Sequence, residues 1–364
     1  IICFDHPFPP QYGGVIDMYY LIEALSKAGI RLHLHVFGVS RKHDDDPLIS
    51  LSEQVIYYPL MSKAKATLSH LPLSMALRRH PKLLENLLLL KAPILFTHFK
   101  ASALAFHPKL KDYSKFLRLQ NIESAYYSGV ASKESQWLKK QMYFRDAKRY
   151  EVVEERLEVF QRVFSLSHQE TQWVQKRSGN ACFVPVFHEN QMVDLQGTRG
   201  QFALFHGDLR ISDNLMAAKM LVERFKSIDY PLVIASSHAA EKVNSWIGDA
   251  KNIRFESIRV EGVLERLLSE AHLNVLWSFQ PTGTKLKLMN CLYKSRFCVV
   301  NPNLTDDPNI LAYSTVVSTE QEIATAVTQL SEVTFNEDRT ALYAYLDNQS
   351  KAEKMIQFLF ESID

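Results

Sequence analysis

Apolar residues along this chain follow two alternating rhythms. Short buried-type runs are each followed by stretches whose apolar residues recur at helical spacing. Residues 1–4 begin a buried strand. The turn Pro7-Phe8-Pro9-Pro10-Gln11-Tyr12-Gly13-Gly14 follows, then a helix over 15–28. Ile16, Tyr19, Tyr20, Ile22 and Leu25 form its apolar stripe, and Gly29 stops it. Residues 31–37 alternate Leu32, Leu34 and Val36 with polar positions and read as the next strand. Further strands are expected at 55–60, 94–99, 116–120, 163–166 and 182–186. The charge-rich stretch 132–160 reads as one long helix anchored by Trp137, Phe144, Val152, Leu157 and Phe160. Residues 187–199 have no strong period and read as a linker. A second alternation follows, with strands at 202–206, 232–235, 253–255, 273–277 and 297–300. Its helices are expected at 214–225, 241–248, 261–271 and 285–293.

Strand, helix and strand at this spacing mean βαβ units and parallel sheets. The expected fold is therefore α/β, with two doubly wound, Rossmann-like domains in tandem. They are assigned to 1–187 and 188–347. The amphipathic tail 348–364 is expected to pack back on the first domain as a helix. Ligands of such sheets sit outside the carboxyl ends of the strands, which places the chemistry in a cleft between the two domains.

The length of 364 residues agrees with two domains. Lys and Arg number 42 against 40 Asp and Glu, a net charge of +2 that provides no field for nucleic acid. Cys3, Cys182, Cys291 and Cys298 form no Cys-x-x-Cys pair and lie in apolar runs, as buried thiols in a reducing compartment would. No His cluster has metal-ligand spacing. No apolar run reaches the ~18 residues of a membrane span. A cytoplasmic location is expected. Residues 61–91 carry Lys63, Lys65, Arg78, Arg79, Lys82 and Lys91 among Leu-rich runs. That composition fits a peripheral contact with the inner membrane, or a packed helix with a solvated basic face.

The chemistry concentrates at strand ends. Phe279-Gln280-Pro281-Thr282-Gly283-Thr284-Lys285-Leu286-Lys287-Leu288-Met289-Asn290 follows a strand and opens a helix. Gly283 admits close backbone approach, the free amides attract an anion, and Lys285 and Lys287 add charge. The same pattern also describes an ordinary turn with a solvated Lys face. Gly13 and Gly14 open the first helix, where amides can reach a phosphate or simply start a helix. Asp17 either orients that loop or is a first-turn carboxylate. Asn121 and Glu123 follow a strand, where they can bind a sugar hydroxyl or cap the next helix. Arg118 can pair with Glu123 or with an acceptor. His206 and Gly207 end the first strand of the second domain, where a lone His is as often structural.

In order along the chain, four segments resemble one family. Thr282–Asn290 and its continuation to Asn301 look like the Gly-x-Lys-x-Lys segment of retaining GT-B glycosyltransferases (the group 1, family 4-like set). They are most similar to a bacterial, Bacteroidetes-type branch that reads Thr-Gly-x-Lys-Leu-Lys-Leu-Leu-Asn-x-Leu. Phe205–Asn214 is similar to that branch's His-Gly-Asn-Leu turn. Tyr12–Asp17 is a third match. Arg118–Tyr127 resembles an Arg-x-His-Asn-x-Glu-x-x-Tyr-Tyr segment.

The resemblance implies transfer of a hexose from a UDP- or GDP-linked sugar to a glycan or lipid-linked acceptor, with retention of configuration, in polysaccharide biosynthesis. Lys285, Lys287, Asn121 and Glu123 take the catalytic roles. Gly13, Gly14, Asp17, His206, Gly207, Arg210, Gly283, Thr284 and Asn290 bind the donor. No cofactor or metal is expected, because lysines and helix N-termini can neutralise the diphosphate. The chain departs from the wider family at several positions. Thr282 and Asn290 stand where many members have two glutamates; Asn290 can still accept from a ribose hydroxyl. Asp208 and Asn214 stand where many have an Arg and a Lys, and Gln120 replaces a His. These departures support an alternative, a catalytically silent homologue serving as a binding or scaffold subunit. A sugar-nucleotide epimerase is a third reading.

Overall fold

A computed structural model describes residues 1–38, 46–280 and 285–360. The chain divides into two compact units. The first is Ile1–His188 together with Leu346–Asp364, and the second is Glu189–Tyr345.

The first unit runs β1 (Ile2–Cys3), α1 (Gly13–Lys27), β2 (His33–Phe37) and β3 (Gln54–Tyr58). Three short helices follow, α2 (Lys63–Thr67), α3 (Leu73–Ala76) and α4 (Pro81–Leu90). Then come β4 (Ile94–Phe96), β5 (Lys115–Leu119), α5 (Glu123–Lys133), α6 (Trp137–Glu154), β6 (Arg162–Ser165), α7 (His168–Ser178) and β7 (Ala181–Phe183). The sheet order is β3-β2-β1-β4-β5-β6-β7, and the described pairs are all parallel.

The second unit runs β8 (Phe202–His206), α8 (Ser212–Phe225), β9 (Leu232–Ser236), α9 (Ala240–Ile247), β10 (Ile253–Ser257), α10 (Val263–Glu270) and β11 (Ala271–Leu276). It continues with α11 (Leu286–Lys294), β12 (Phe297–Val300), α12 (Pro308–Leu311), β13 (Thr315–Val316), α13 (Glu322–Ser331) and α14 (Thr340–Tyr345). Its order is β10-β9-β8-β11-β12-β13, again parallel. That is the 3-2-1-4-5-6 order of a dinucleotide-binding sheet. Strands such as β8, β9 and β11 are buried along their whole length, because parallel sheets carry helices on both faces.

The last helix, α15 (Asn348–Phe360), belongs to the first unit and packs on α1. It buries Ala352, Met355 and Leu359.

The expected single helix over 132–160 is two helices. Glu134 adopts an extended conformation after α5, and the Gln136 amide donates to its carboxylate at 2.8 Å. A side chain that captures a backbone amide in this way competes with the helix ladder. Arg118, read as a partner of Glu123 or of an acceptor, pairs with Asp17. Arg118 is fully buried in β5 and grips Asp17 with two hydrogen bonds, Nε at 2.9 Å and Nη2 at 2.7 Å. Its remaining donors reach the Val184 and Pro185 carbonyls at 2.8 and 2.9 Å. Asp17 also accepts from the Phe187 amide at 2.9 Å. This buried pair holds the chain where it leaves the first unit. The four cysteines are free and buried.

Candidate functional site

In each sheet the strand order reverses once, between β1 and β4 and between β8 and β11. The crevice outside the carboxyl ends at such a reversal is where doubly wound sheets hold ligands.

In the second unit, β8 ends at His206 and Gly207, and β11 leads into Trp277 and Ser278. Ser278 is fixed from three sides. Its amide donates to Asn301 Oδ1 at 3.0 Å, and its carbonyl accepts from Asn301 and Asn303 at 2.8 and 3.0 Å. Its hydroxyl donates to Asp213 Oδ2 at 2.8 Å, while the Phe279 amide donates to Asp213 Oδ1 at 2.9 Å. Asp213 sits in the first turn of α8, so a carboxylate stitches the turn after β11 to the helix after β8.

Lys287 lies against this frame. Its Nζ donates to Asn214 Oδ1 at 3.0 Å and to the Trp277 carbonyl at 3.4 Å, and it stands 5.1 Å above the Phe205 ring. Asn214 in turn donates to the Asp208 carbonyl at 3.1 Å. Burial and, beyond it, Lys285 lower the Lys287 pKa to about 8, against the pull of Asp213. The ammonium is therefore mostly charged at neutral pH in a place with little water. Lys285 caps α11, with its amide bonded to the Leu304 carbonyl at 3.0 Å. Asn290 is half-buried in α11, three residues past Lys287 and so on the same side of the helix. Gly283 and Thr284 lie outside the described residues.

His206 is buried beside Lys287, and neither ring nitrogen has a partner among the described residues. Burial, then Lys287, push its pKa down to about 3, so the imidazole is neutral with one donor and one acceptor to offer. A Cβ on Gly207 would stand 3.1 Å from the Asn214 amide, so the glycine leaves room for the group that holds Lys287. Arg210 is exposed and paired to Asp208 through Nη2 at 2.8 Å and Nε at 3.0 Å.

In the first unit, Gly13 and Gly14 start α1. A Cβ on Gly14 would lie 2.4 Å from Gln120 Oε1 and 3.1 Å from the Phe4 ring. Gln120 donates to the Gly14 carbonyl at 3.2 Å. Gly14 thus serves the packing of the turn against β5. Asp17 lies beyond the first turn of α1 and is buried in its ion pair with Arg118.

Glu123, after β5, is fully buried and starts α5. His98, after β4, stands 3.3 Å from it through Nε2. Burial raises the Glu123 pKa to about 7. Lys100 lowers it, the nearby Glu154 raises it and the Asn121 side chain lowers it again. Glu154 holds the Ser124 amide at 3.1 Å. Burial drives the His98 pKa well below the ordinary histidine value, so that ring is neutral too. Pattern reading singled out Asn121 and Glu123 but not their neighbour His98, nor Asp213 and Asn301. A His two residues past a short apolar run, and an Asp and an Asn at loop ends, carry no spacing that marks them in one sequence.

Among the described residues, no group of His, Cys, Asp and Glu could hold a metal ion, and no helix is long and apolar enough to cross a membrane.

No protein-family model matches the chain, and no curated protein matches it. Its fold, however, matches solved glycosyltransferases. The lipopolysaccharide outer core galactosyltransferase WaaB in apo form aligns over 99% of this chain and 98% of its own, with TM-score 0.64 and 10% identity. A glycosyltransferase from Rickettsia africae aligns over 97% and 96%, with TM-score 0.60 and 11% identity. HepE from Anabaena, solved with UDP, aligns over 99% and 97%, with TM-score 0.58 and 12% identity. The fold is GT-B, two Rossmann-like parallel-sheet domains in tandem.

Proposed function

We infer that the chain transfers a hexose from a UDP- or GDP-linked sugar to a glycan or lipid-linked acceptor, with retention of configuration. The observation that carries this is Lys287: a half-buried ammonium at the reversal point of the second sheet, set between an Asn side chain, a main-chain carbonyl and an aromatic ring. A partly desolvated cation without a carboxylate in direct contact favours an anionic ligand. A diphosphate meets that need, with Lys285 adding charge beside it and the neutral His206 offering a hydrogen bond. Anabaena HepE, similar in fold, is solved with UDP and with UDP-glucose. Asn290, on the same side of α11, would accept from a ribose hydroxyl in this reading.

In this reading the protein positions donor and acceptor and stabilises the departing diphosphate. The leaving phosphate takes the acceptor's proton. Asn121 and Glu123 belong to the sugar-binding part of the first unit, where His98 stands beside Glu123. No metal is required.

The Asp208–Arg210 pair favours a second reading. The position where many relatives in sequence pattern have an Arg carries an Asp that neutralises the neighbouring Arg210. A silent binding subunit would retain the fold with this loop closed. Calorimetric titration with UDP and GDP separates the two. One nucleotide should bind the wild type, and Lys287→Ala should weaken it by about 10²-fold or more, as expected when a charged contact to a phosphate is lost. Turnover of the matching sugar donor should fall by about 10²–10³. Equal nucleotide binding by both proteins removes Lys287 from the site. Binding without turnover of any donor leaves the silent subunit.

A further inference from the structure

The strand ends of the first unit hold a cation of their own. Among the basic positions of residues 61–91, Lys63, Lys65, Arg79, Lys82 and Lys91 are exposed, whereas Arg78 is half-buried. It follows α3 and turns inward. Its Nε donates to the Phe4 carbonyl and its Nη1 to the Ser74 carbonyl at 2.9 Å. Phe4 is the residue after β1, and its ring lies 4.8 Å from that of His98, the second residue after β4. The guanidinium therefore stands where the first sheet reverses, which is where such a sheet holds a ligand. Two main-chain carbonyls fix its orientation, and Nη2 makes no hydrogen bond among the described residues.

The acids at this end leave that charge largely unanswered. Burial lowers the Arg78 pKa, and Asp5, Tyr150, Tyr12 and Tyr127 pull it back. Asp5 is the carboxylate that bears on it most, yet the two form no ion pair, and Asp5 is committed elsewhere. Its Oδ1 accepts from the His6 amide at 2.9 Å and its Oδ2 from the Tyr12 hydroxyl at 2.7 Å. Glu123 holds its proton up to about pH 7, and His98 is neutral. A partly desolvated guanidinium with donors to spare favours an oxyanion, which it can grip with two parallel bonds.

The groups around Arg78 are aromatic. Tyr12 is 50% exposed. Tyr127 stacks on Tyr150 with ring centroids 5.4 Å apart, and the Tyr150 hydroxyl meets that of Ser74 at 2.6 Å. Aromatic rings beside a few fixed polar groups suit a small ligand with one apolar face and one polar edge, as a sugar ring has. A neutral sugar would leave the Arg78 charge without a counterpart; an acidic one supplies it.

We propose that Arg78 recognises an oxyanion, a carboxylate or a phosphate, carried by the acceptor sugar, so that the first unit selects acidic over neutral acceptors. Calling the ligand an acceptor rests on the transferase reading above; the anion site does not.

Saturation-transfer NMR on the full chain tests this with two pairs of probes. Nitrophenyl glucuronide and nitrophenyl glucoside differ only in a carboxylate against a hydroxymethyl group. Glucose phosphorylated on its primary hydroxyl and glucose itself form the second pair. The wild type should hold the acidic member of one pair about tenfold or more tighter than its neutral twin, the worth of a charge-assisted hydrogen bond. Which pair responds tells a carboxylate from a phosphate. Arg78→Gln should erase the preference while binding the neutral twin as before, a split that a purely structural role would not produce. Arg78→Lys, which keeps the charge without the fork, should restore part of it. Arg79→Gln, exposed next door, should leave it intact. If Arg78→Gln folds poorly, the wild-type comparison and the Lys variant still decide. Equal binding of both twins by the wild type overturns the proposal, as does a preference that survives in Arg78→Gln. So does inorganic phosphate that displaces the acidic sugar at equal concentration, since the site would then take any small anion. Nucleotide binding without acid preference sinks this proposal and spares the transferase reading. Acid preference without binding of UDP or GDP keeps the anion site and sinks the transferase reading instead.

Discussion

Glu123 shows what a single buried carboxyl costs. Its pKa of about 7 exceeds the ordinary 4.5 because burial disfavours the anion and Glu154 stands nearby. Between those two values the folded chain holds a proton that the unfolded chain releases. Stability tied to this group is therefore complete below about pH 4.5 and is lost as pH rises through about 7. The shift amounts to roughly 3 kcal/mol at most. Glu123→Gln should flatten that slope. Denaturant melts of both proteins at pH 5 and 8 would show it: the variant gains on wild type at the higher pH. An unchanged difference between the two pH values would mean that the carboxyl stays charged throughout. Lys287 behaves oppositely with respect to ligand. Its ammonium is lost as pH passes about 8, so nucleotide affinity should fall above that pH, and Lys287→Arg should carry the fall to higher pH. At this scale the sequence was partly legible. His206 and Glu123 stood out as polar side chains at or just past the end of an apolar run, and Lys287 as one of two lysines that follow a glycine turn. Their neighbours Asp213 and His98 did not, because a residue's meaning as a partner depends on contacts between distant elements.

Elements were easier to read than sites, for a physical reason. Buried parallel strands need apolar runs, and β8, β9, β11 and β12 are such runs. Helices whose cover is polar have weaker signatures. α7 is nearly all polar, yet Ser167 caps it by accepting from the Glu170 amide at 3.1 Å, and Gly179 ends it at φ 71°. β13 is only Thr315–Val316 and leaves no pattern. Close approaches between elements leave no pattern either. Gly200 precedes β8, and a Cβ there would lie 2.4 Å from the Ala271 carbonyl carbon and from the His272 amide nitrogen. The ladder between β8 and β11 shifts register at that point, between Ala271 and Leu273. The Gly200 amide also donates to His272 Nδ1 at 3.1 Å. Because backbone rather than a flexible side chain is in the way, Gly200→Ala should destabilise the second unit by about 1–3 kcal/mol or more. Thermal melts test this directly. Gly179→Ala supplies a contrast, since nothing lies within 4 Å and only its positive φ opposes the change.

At the scale of the whole molecule, the chain leaves the first unit at His188 and returns at Leu346 to add α15. The return is fastened by polar bonds as well as by the apolar face on α1. Lys351 Nζ donates to the Val186 carbonyl at 2.7 Å and lies 4.9 Å over the Phe187 ring, while Asn348 and His188 exchange two main-chain-to-amide hydrogen bonds at 2.7 and 3.3 Å. Phe187 also takes the Arg118 guanidinium at 5.5 Å. The departing and returning segments thus share one buried cluster with Asp17. Removal of α15 exposes Met355's contacts in the first unit and leaves the Val186 carbonyl without its ammonium. The second unit, Glu189–Tyr345, keeps every one of its elements. A chain ended after Tyr345 should therefore lose hydrogen-exchange protection in β1, α1 and β5 while β8, β9 and β11 keep theirs. Lys351→Met should produce a milder loss confined to the same strands. It should also remove a pH dependence of the first unit, because burial lowers the Lys351 pKa to about 7 and the unfolded chain binds its proton up to about 10.5, so stability from this group rises with pH across that window. Equal loss of protection in both sheets on truncation would show that the two units unfold as one block.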